Sequence, residues 1–257
     1  EDAGKPYIIE QDSVKIGIYA CAENEFSIVT ENSPGANPFD PLESFDHIRK
    51  LKNQCNYVIV LYHGGKEHYR YPSPYLQKLC RKMVEIGASL VVCQHSHCVG
   101  AYENYKDSTI VYGQGNFIFN KHNNEFWNNS VIIDVKIDKG FRVNFIPVVT
   151  TKKGIRLAND KEKKEILDSF FNRSTKILDK KFVENKYEEF AKNNIDNYIR
   201  IFLSFGKWQS RIDRRLLRGF LFKKKVNKDY LLSIENFIEC EAHRELILAG
   251  LKGEINN

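Results

Sequence analysis

The chain lacks any apolar run near the length that a transmembrane helix needs, and it shows no signal peptide. Internal repeats and low-complexity tracts are also absent. It lacks the loop-based cysteine spacing of a disulfide framework, because its six cysteines stand mostly inside apolar runs: Cys21, Cys55, Cys80, Cys93, Cys98 and Cys240. We therefore expect unpaired, reduced thiols and a cytoplasmic location.

Length and charge indicate a globular chain with two regions. The 257 residues are 42% hydrophobic and 28% charged, which is ordinary for a soluble protein with a sizeable core. Residues 1–150 hold 15 Lys and Arg against 17 Asp and Glu, whereas residues 151–257 hold 24 against 16. We therefore predict two regions with different tasks, divided at residue 150.

Short apolar runs that alternate with helical patterns predict an α/β domain in the first region. Helices are predicted to begin at Asp40–Pro41 and Ser73–Pro74, each with a capping side chain followed by proline. A turn is predicted at Asp138–Lys139–Gly140, between the last two strands. The predicted strands cover residues 14–22, 56–63, 89–94, 109–113, 130–137 and 141–149.

Beyond Thr151 the sequence predicts three or four helices. Residues 206–228 hold nine Lys and Arg and one Asp, and Trp208, Ile212, Leu216 and Phe220 recur at helical spacing. The favoured interpretation is a docked amphipathic helix with a solvated basic face. The alternative is contact with an anionic polymer or an anionic membrane surface.

Polar side chains follow four predicted strands, where an open α/β sheet binds its ligands. The histidines are His63 after the second strand and the HSH pair His95 and His97 after the third. In an extended backbone, residues two apart point the same way, so this pair could converge on one ion. The other candidates are Glu23, Glu25, Glu67 and Asn116.

These residue types predict a divalent metal centre. Three imidazoles suit a zinc-like ion with an open position for water, whereas carboxylates and an amide oxygen suit Mn or Mg. His63, His95 and His97 are the predicted ligands, and Glu67 is the candidate for orienting water or substrate. The competing interpretations are a polar loop that happens to contain histidines and solvated loop carboxylates. Cys93 and Cys98 are interpreted as packing residues rather than soft ligands.

The segment "YVIVLYHGGKEHYRYPSPYLQKLCRKMVEIGASLVVCQHSHCVGAYENYKDSTIVYGQGNFIFN" resembles the C-terminal half of the CapA-type proteins of bacterial capsule and poly-γ-glutamate synthesis. HGGKE corresponds to the family's His-Trp-Gly-x-Glu, QHSH to its Gly-His-x-His and GQGNFIF to its Gly-Asn-Phe element. The resemblance implies a metallophosphatase-like β-sandwich flanked by helices, followed here by an α-helical C-terminal extension. It also implies a dinuclear metal site.

This sequence departs from the family pattern at several points. Gly64 replaces the family's Trp, and Gln94 replaces a Gly. The family's early Gly-Asp and Asn-Asn-His motifs occur nowhere in the chain, which also opens without an initiator Met. We therefore expect an N-terminally incomplete domain. We expect a metallophosphatase-like hydrolase only if the missing half is supplied.

The resemblance implies a role in cell-surface polymer biosynthesis, through metal-dependent hydrolysis or transfer at a phosphate ester. The rival interpretation is a non-catalytic accessory whose basic helical region binds a polyanionic polymer or a synthase partner. The expected partners are the polymer or its precursor, a polymer synthase and an anionic membrane. No specific nucleic acid is expected.

Overall fold

The computed structural model describes residues 2–24, 27–30, 33–117, 125–138 and 140–255. The chain forms two compact units, Glu1–Glu189 and Phe190–Asn257. We call the first the sheet unit and the second the helical unit. The units divide later in the chain than the change of composition at Thr151, and the predicted division at residue 150 stays a prediction.

A six-stranded sheet forms the centre of the sheet unit, in the order β1-β2-β3-β4-β6-β5. Strands β2, β3, β4 and β6 run parallel, and β1 and β5 pair antiparallel at the two edges. The four parallel strands therefore all end at the same edge of the sheet. The bounds are β1 Tyr7–Gln11, β2 Val14–Ala22, β3 Tyr57–His63, β4 Leu90–Gln94, β5 Tyr102–Tyr105 and β6 Ser108–Val111.

Alternation along the central strands divides the apolar side chains between two cores. In β3, Val58 and Val60 face the core that contains helices α1 (Pro41–Lys52) and α2 (Pro74–Glu85). Ile59 and Leu61 face the opposite core. Because β3 packs apolar side chains on both faces, its sequence is a continuous apolar run, as is typical of a parallel strand.

The second face of the large sheet packs against a three-stranded antiparallel sheet. Its strands are β7 Asn129–Ile137, β8 Phe141–Thr151 and β9 Gly154–Leu157, and β7 follows the short helix α3, Glu125–Asn128. Ring contacts such as Tyr102–Phe145, with centroids 4.9 Å apart, link the two sheets. The predicted mixed α/β fold, with two sheets flanked by helices, is confirmed.

Two helices begin where the sequence predicts. Asp40 accepts a hydrogen bond from the Leu42 amide at 2.8 Å and caps α1. Ser73 accepts from the Leu76 amide at 3.0 Å and caps α2. These caps satisfy amides that the first helical turn leaves unpaired, so the helix starts are fixed by local chemistry.

The six predicted strands are all present, with bounds that shift by at most two residues. Three further strands, β1, β5 and β9, are absent from the prediction. They are four or five residues long and largely polar or exposed, so they carry no apolar run. The predicted turn at 138–140 includes Lys139, which lies outside the described residues.

The C-terminal part differs from the prediction of three or four helices, because six are described after β9. The predicted basic helix over 206–228 is interrupted at Gly219, which has a φ of 79° that favours glycine. No described helix combines the length and apolarity needed to cross a membrane. The bounds are α4 Asp160–Lys176, α5 Lys180–Phe202, α6 Lys207–Arg215, α7 Phe220–Lys225, α8 Lys228–Glu239 and α9 Glu241–Ile255.

Candidate metal centre

Two of the predicted ligands meet where β3 and β4 end. His63 is the last residue of β3 and pairs in register with Gln94, the last residue of β4. His95 follows directly, and its Nδ1 lies 3.0 Å from Nε2 of His63. The two ring centroids are 4.8 Å apart. Parallel pairing of the strands thus brings together two imidazoles that are 32 residues apart in sequence.

A second pair forms between the third histidine and the loop after β6. His97 Nδ1 lies 2.8 Å from Oδ1 of Asn116, and Nδ2 of Asn116 donates to the His97 carbonyl at 3.0 Å. Asn116 is buried, so these bonds satisfy its side chain. Glu67 Oε1 lies 3.8 Å from Nε2 of His97, and its side chain is half exposed. The predicted residues His97, Asn116 and Glu67 are therefore neighbours.

The HSH segment is not the extended backbone from which its convergence was predicted. His95 has a φ of 99° and His97 a φ of 53°, so both lie in the left-handed region that side chains rarely adopt. His95 contacts His63, whereas His97 contacts Asn116. The rings of His95 and His97 are adjacent, with centroids 5.8 Å apart, but they have different partners. The extended backbone predicted for His95 and His97 is therefore wrong, although both residues lie at this sheet edge.

Glu23 follows β2 and lies under the glycine pair after β3. Its carboxylate accepts hydrogen bonds from the Tyr62 hydroxyl at 3.1 Å and from the Gly65 amide at 3.2 Å. Burial, together with the neighbouring Glu23 carboxylate, raises the pKa of the Tyr62 hydroxyl, which therefore stays protonated as a donor. A Cβ at Gly64 would lie 2.8 Å from the Glu23 carboxyl carbon, so glycine is needed here. Glu25 lies outside the described residues.

The sequence reasoning missed the aromatic residues of α3. The Trp127 ring stacks on His97, with centroids 4.9 Å apart and planes at 16°. His68 contacts both Trp127 and Phe126. Trp127 covers one side of the His97 ring and thereby restricts its orientation. Neither aromatic residue belongs to a metal-ligand spacing, so no sequence signal connected them to the site.

The His63–His95 pair fits part of a coordination sphere. Two nitrogens bound to one ion at about 2.0–2.1 Å lie roughly 2.9–3.4 Å apart, and the observed 3.0 Å falls in that range. The separation also suits a direct hydrogen bond. Within the described residues, no group of three or more His, Cys, Asp or Glu side chains is placed to hold one ion. The site therefore offers two imidazole nitrogens, from His63 and His95, to one ion. The Asn116 amide oxygen and the Glu67 carboxylate lie beside the neighbouring His97.

The cysteines near the site do not join it. Cys93 and Cys98 are fully buried, and Cys93 Sγ lies 3.4 Å from Cys80 Sγ on α2. Burial raises the pKa of the Cys98 thiol. All six cysteines are free, and five of them are buried, in agreement with the predicted packing role.

Comparison with known proteins identifies relatives of the sheet unit. The family described as "Bacterial capsule synthesis protein PGA_cap" matches residues 1–121. The "Capsule biosynthesis protein CapA" of Bacillus anthracis is 32% identical over 99 residues, which are 37% of this chain and 24% of that protein. The "PGA biosynthesis protein CapA" of Bacillus subtilis strain 168 is 33% identical over 91 residues, which are 35% and 24%.

A solved structure shows a distant likeness. A hypothetical protein from Thermus thermophilus aligns with a TM-score of 0.36 and 11% identity, over 56% of this chain and 60% of that one. The alignments with the two CapA proteins span about a quarter of each relative's length. The match to the capsule synthesis family covers all four parallel strands and the strand-end residues His63, His95, His97 and Asn116. Residues 1–121 of this chain are therefore similar to the CapA-type proteins of bacterial capsule synthesis.

Proposed function

We propose that this protein acts in the synthesis of a bacterial cell-surface polymer, such as capsule or poly-γ-glutamate, as a divalent-metal-dependent hydrolase or transferase of phosphate-ester type. His63 and His95 would hold the ion, with His97 beside them. The observation that carries the proposal is the 3.0 Å separation of the His63 and His95 nitrogens at the carboxyl edge of a parallel sheet. Similarity to the capsule synthesis family supports a role in polymer synthesis but does not fix the reaction.

The residues around the pair have distinct tasks in this proposal. Asn116 accepts a hydrogen bond from Nδ1 of His97, which leaves the His97 Nε2 lone pair directed away from the protein amide. The stacked Trp127 ring holds the imidazole in that orientation. A bound divalent ion would lower the pKa of water and polarise a phosphoryl oxygen.

Glu67 is the proposed general base of the site. Its side chain is half exposed, and its carboxylate lies 3.8 Å from Nε2 of His97. It can therefore reach solvent and accept a proton from an attacking water at the face of the site. Glu23 is fixed by Tyr62 and Gly65, so its proposed task is to support the glycine turn that brings His63 and Glu67 to this edge.

Metal binding by the purified chain tests this function. We expect His63→Ala and His95→Ala each to weaken Mn or Zn binding at least tenfold in titration calorimetry, because each removes one nitrogen of the pair. His243→Ala, which removes an exposed histidine of the helical unit, is the matched control and should bind as the wild type does. Unchanged binding in both site variants would overturn the metal assignment.

The reaction requires a separate measurement. We expect Glu67→Gln to retain the metal affinity of the wild type while hydrolysis of a chromogenic phosphate ester falls about 10²–10⁴-fold, as for loss of a general base. An accessory protein that only binds polymer would hold no stoichiometric metal. Its polymer affinity would fall steeply with salt. Polymer binding of this kind without stoichiometric metal would favour the role of a non-catalytic accessory protein.

A further inference from the structure

Helix α6 carries adjacent cationic and apolar stripes that no described residue of the helical unit covers. At 100° per residue, Lys207, Arg211 and Arg215 lie along one side of the helix, and all three are exposed. Trp208, Ile212 and Leu216 lie along the neighbouring side and are 75%, 46% and 76% exposed. Within the helical unit, this apolar face is therefore not the docked face, and α6 packs through its opposite side. We call these six residues the α6 surface.

The opposite side of α6 holds the helix in place. Asp213 is fully buried, and its carboxylate pairs with the Arg200 guanidinium of α5 at 2.8 Å. It also accepts a hydrogen bond from the Leu221 amide at 2.9 Å. The Arg200 guanidinium also lies over the Phe222 ring, 4.2 Å from its centroid. These contacts direct the α6 surface to solvent. Its exposure is thus a consequence of how the unit folds.

A cavity of about 550 Å³ opens beside the cationic stripe, between the end of α5 and α6. The buried Arg200 lines it, and its Nε has no hydrogen-bond partner among the described residues. Four further cationic side chains line the cavity, and this charge favours an anionic group such as a phosphate. The other polar residues that line the cavity are Asn197, Lys207, Ser210, Arg211, Arg214 and Arg215.

We propose that the α6 surface docks on anionic phospholipid membranes. Trp208, Ile212 and Leu216 would enter the boundary between headgroups and acyl chains, and the cationic stripe with its cavity would bind lipid phosphates. Charge complementarity supports this partner, because residues 206–228 hold nine Lys and Arg and one Asp. That charge opposes pairing of two copies through this surface. This inference is independent of the proposed metal chemistry.

The exposed apolar stripe of α6 favours a membrane over a soluble polyanion as the partner. A polymer such as poly-γ-glutamate requires cations but has no apolar phase into which Trp208 or Leu216 could insert. A bilayer interface accommodates both, and tryptophan is the residue most typical of that boundary. The presence of a cationic stripe beside an apolar stripe on one helix therefore favours a membrane as the partner.

Vesicle co-sedimentation of the full chain tests the proposal. We expect binding to vesicles of phosphatidylcholine with about one third phosphatidylglycerol, and little binding to phosphatidylcholine alone. The triple variant Lys207→Gln, Arg211→Gln, Arg215→Gln should bind about a hundredfold more weakly, at roughly fivefold per cation. Trp208→Ser with Leu216→Ser should lose at least tenfold, because two exposed apolar groups no longer insert.

Matched controls come from exposed positions of the sheet unit. Lys161→Gln, Lys163→Gln, Lys164→Gln removes the same charge from α4, and Leu178→Ser removes an apolar side chain that is 62% exposed. Both should bind vesicles as the wild type does. In a Trp127→Phe background, Trp208 emission should shift to shorter wavelength on anionic vesicles only.

Three outcomes would overturn the proposal. One is equal binding, or no binding, to neutral and anionic vesicles. Another is tight binding to soluble poly-γ-glutamate, with vesicle binding unaffected by the Trp208 and Leu216 substitutions, which would assign the surface to a polyanion. The third is a dimer in sedimentation velocity that Trp208→Ser dissociates, which would assign the stripe to self-association.

Discussion

Phe170 of α4 and Trp208 of α6 are both large aromatic residues on amphipathic helices, but the first is 0% exposed and the second 75%. The same contrast separates the two units. The helical unit contributes 19 of the 30 exposed large hydrophobic residues described, although it is only 68 residues long. In the described chain, α8 and α9 bury no residue at all.

The comparison shows where the stability of each unit originates. In the sheet unit, two sheets and their helices cover one another, so strand alternation becomes two dense cores. The helical unit buries Ile199 and Phe222 and is held by the Arg200–Asp213 ion pair. Short helices gain most of their stability from packing. A partner surface that covers the exposed apolar residues should therefore stabilise the helical unit more than the sheet unit.

The largest expected effect is on the core of the sheet unit. Phe170→Ala should lower the free energy of unfolding by about 3–5 kcal/mol, because Phe170 is fully buried against Tyr102 and Phe145. Phe237→Ala, at a 48% exposed position of α8, should cost less than about 0.5 kcal/mol. Urea denaturation followed by near-ultraviolet circular dichroism measures both, and equal losses would contradict the contrast between the units.

Acid should loosen the helical unit through Asp213. Burial alone would raise the pKa of this carboxyl, but hydrogen bonds from Arg200 and two backbone amides outweigh burial and lower it. An acid with a lowered pKa stabilises the fold above its unfolded-state value, about 3.9, and that contribution disappears as pH falls through the folded-state pKa. Hydrogen exchange of residues 190–255 should therefore speed up, relative to intrinsic rates, as pH falls below about 4.

Two variants sharpen the acid experiment. Asp213→Asn should remove this pH dependence and leave exchange already faster at neutral pH, because Arg200 keeps a buried charge without its partner. Asp229→Asn, in the exposed first turn of α8, changes the same group without a buried partner and should retain the wild-type profile. A profile that is unchanged in Asp213→Asn would show that another group governs the unit.

The smallest predicted change is a gain in stability at the site. His95→Gly should raise the free energy of unfolding by about 1 kcal/mol, because glycine adopts a φ of 99° without strain. His47→Gly, inside α1, should lower it by about 1 kcal/mol. Thermal unfolding distinguishes the two signs. A loss of stability in His95→Gly would show that the His95 side chain itself holds the loop.

Much of the sheet unit was predictable because its signals are local. Strand β2 begins and ends at the predicted residues 14 and 22, since a β-branched apolar run flanked by polar residues fixes a buried strand. Asp40 and Ser73 mark helix starts through a bond that spans two or three residues. The positions of His63 and His95 at the ends of two neighbouring parallel strands likewise predicted that both lie at one edge of the sheet.

The contacts themselves depended on the tertiary structure. The sequence determined which residue types follow each strand, but only the parallel register decided that His95 meets His63 while His97 meets Asn116. The left-handed backbone at both histidines and the stacking of Trp127 arise from loops held by distant neighbours. Likewise, helical periodicity determined that Trp208, Ile212 and Leu216 share a face. Whether that face is covered is decided by packing alone, because periodicity specifies a direction around a helix and carries no information about what lies there.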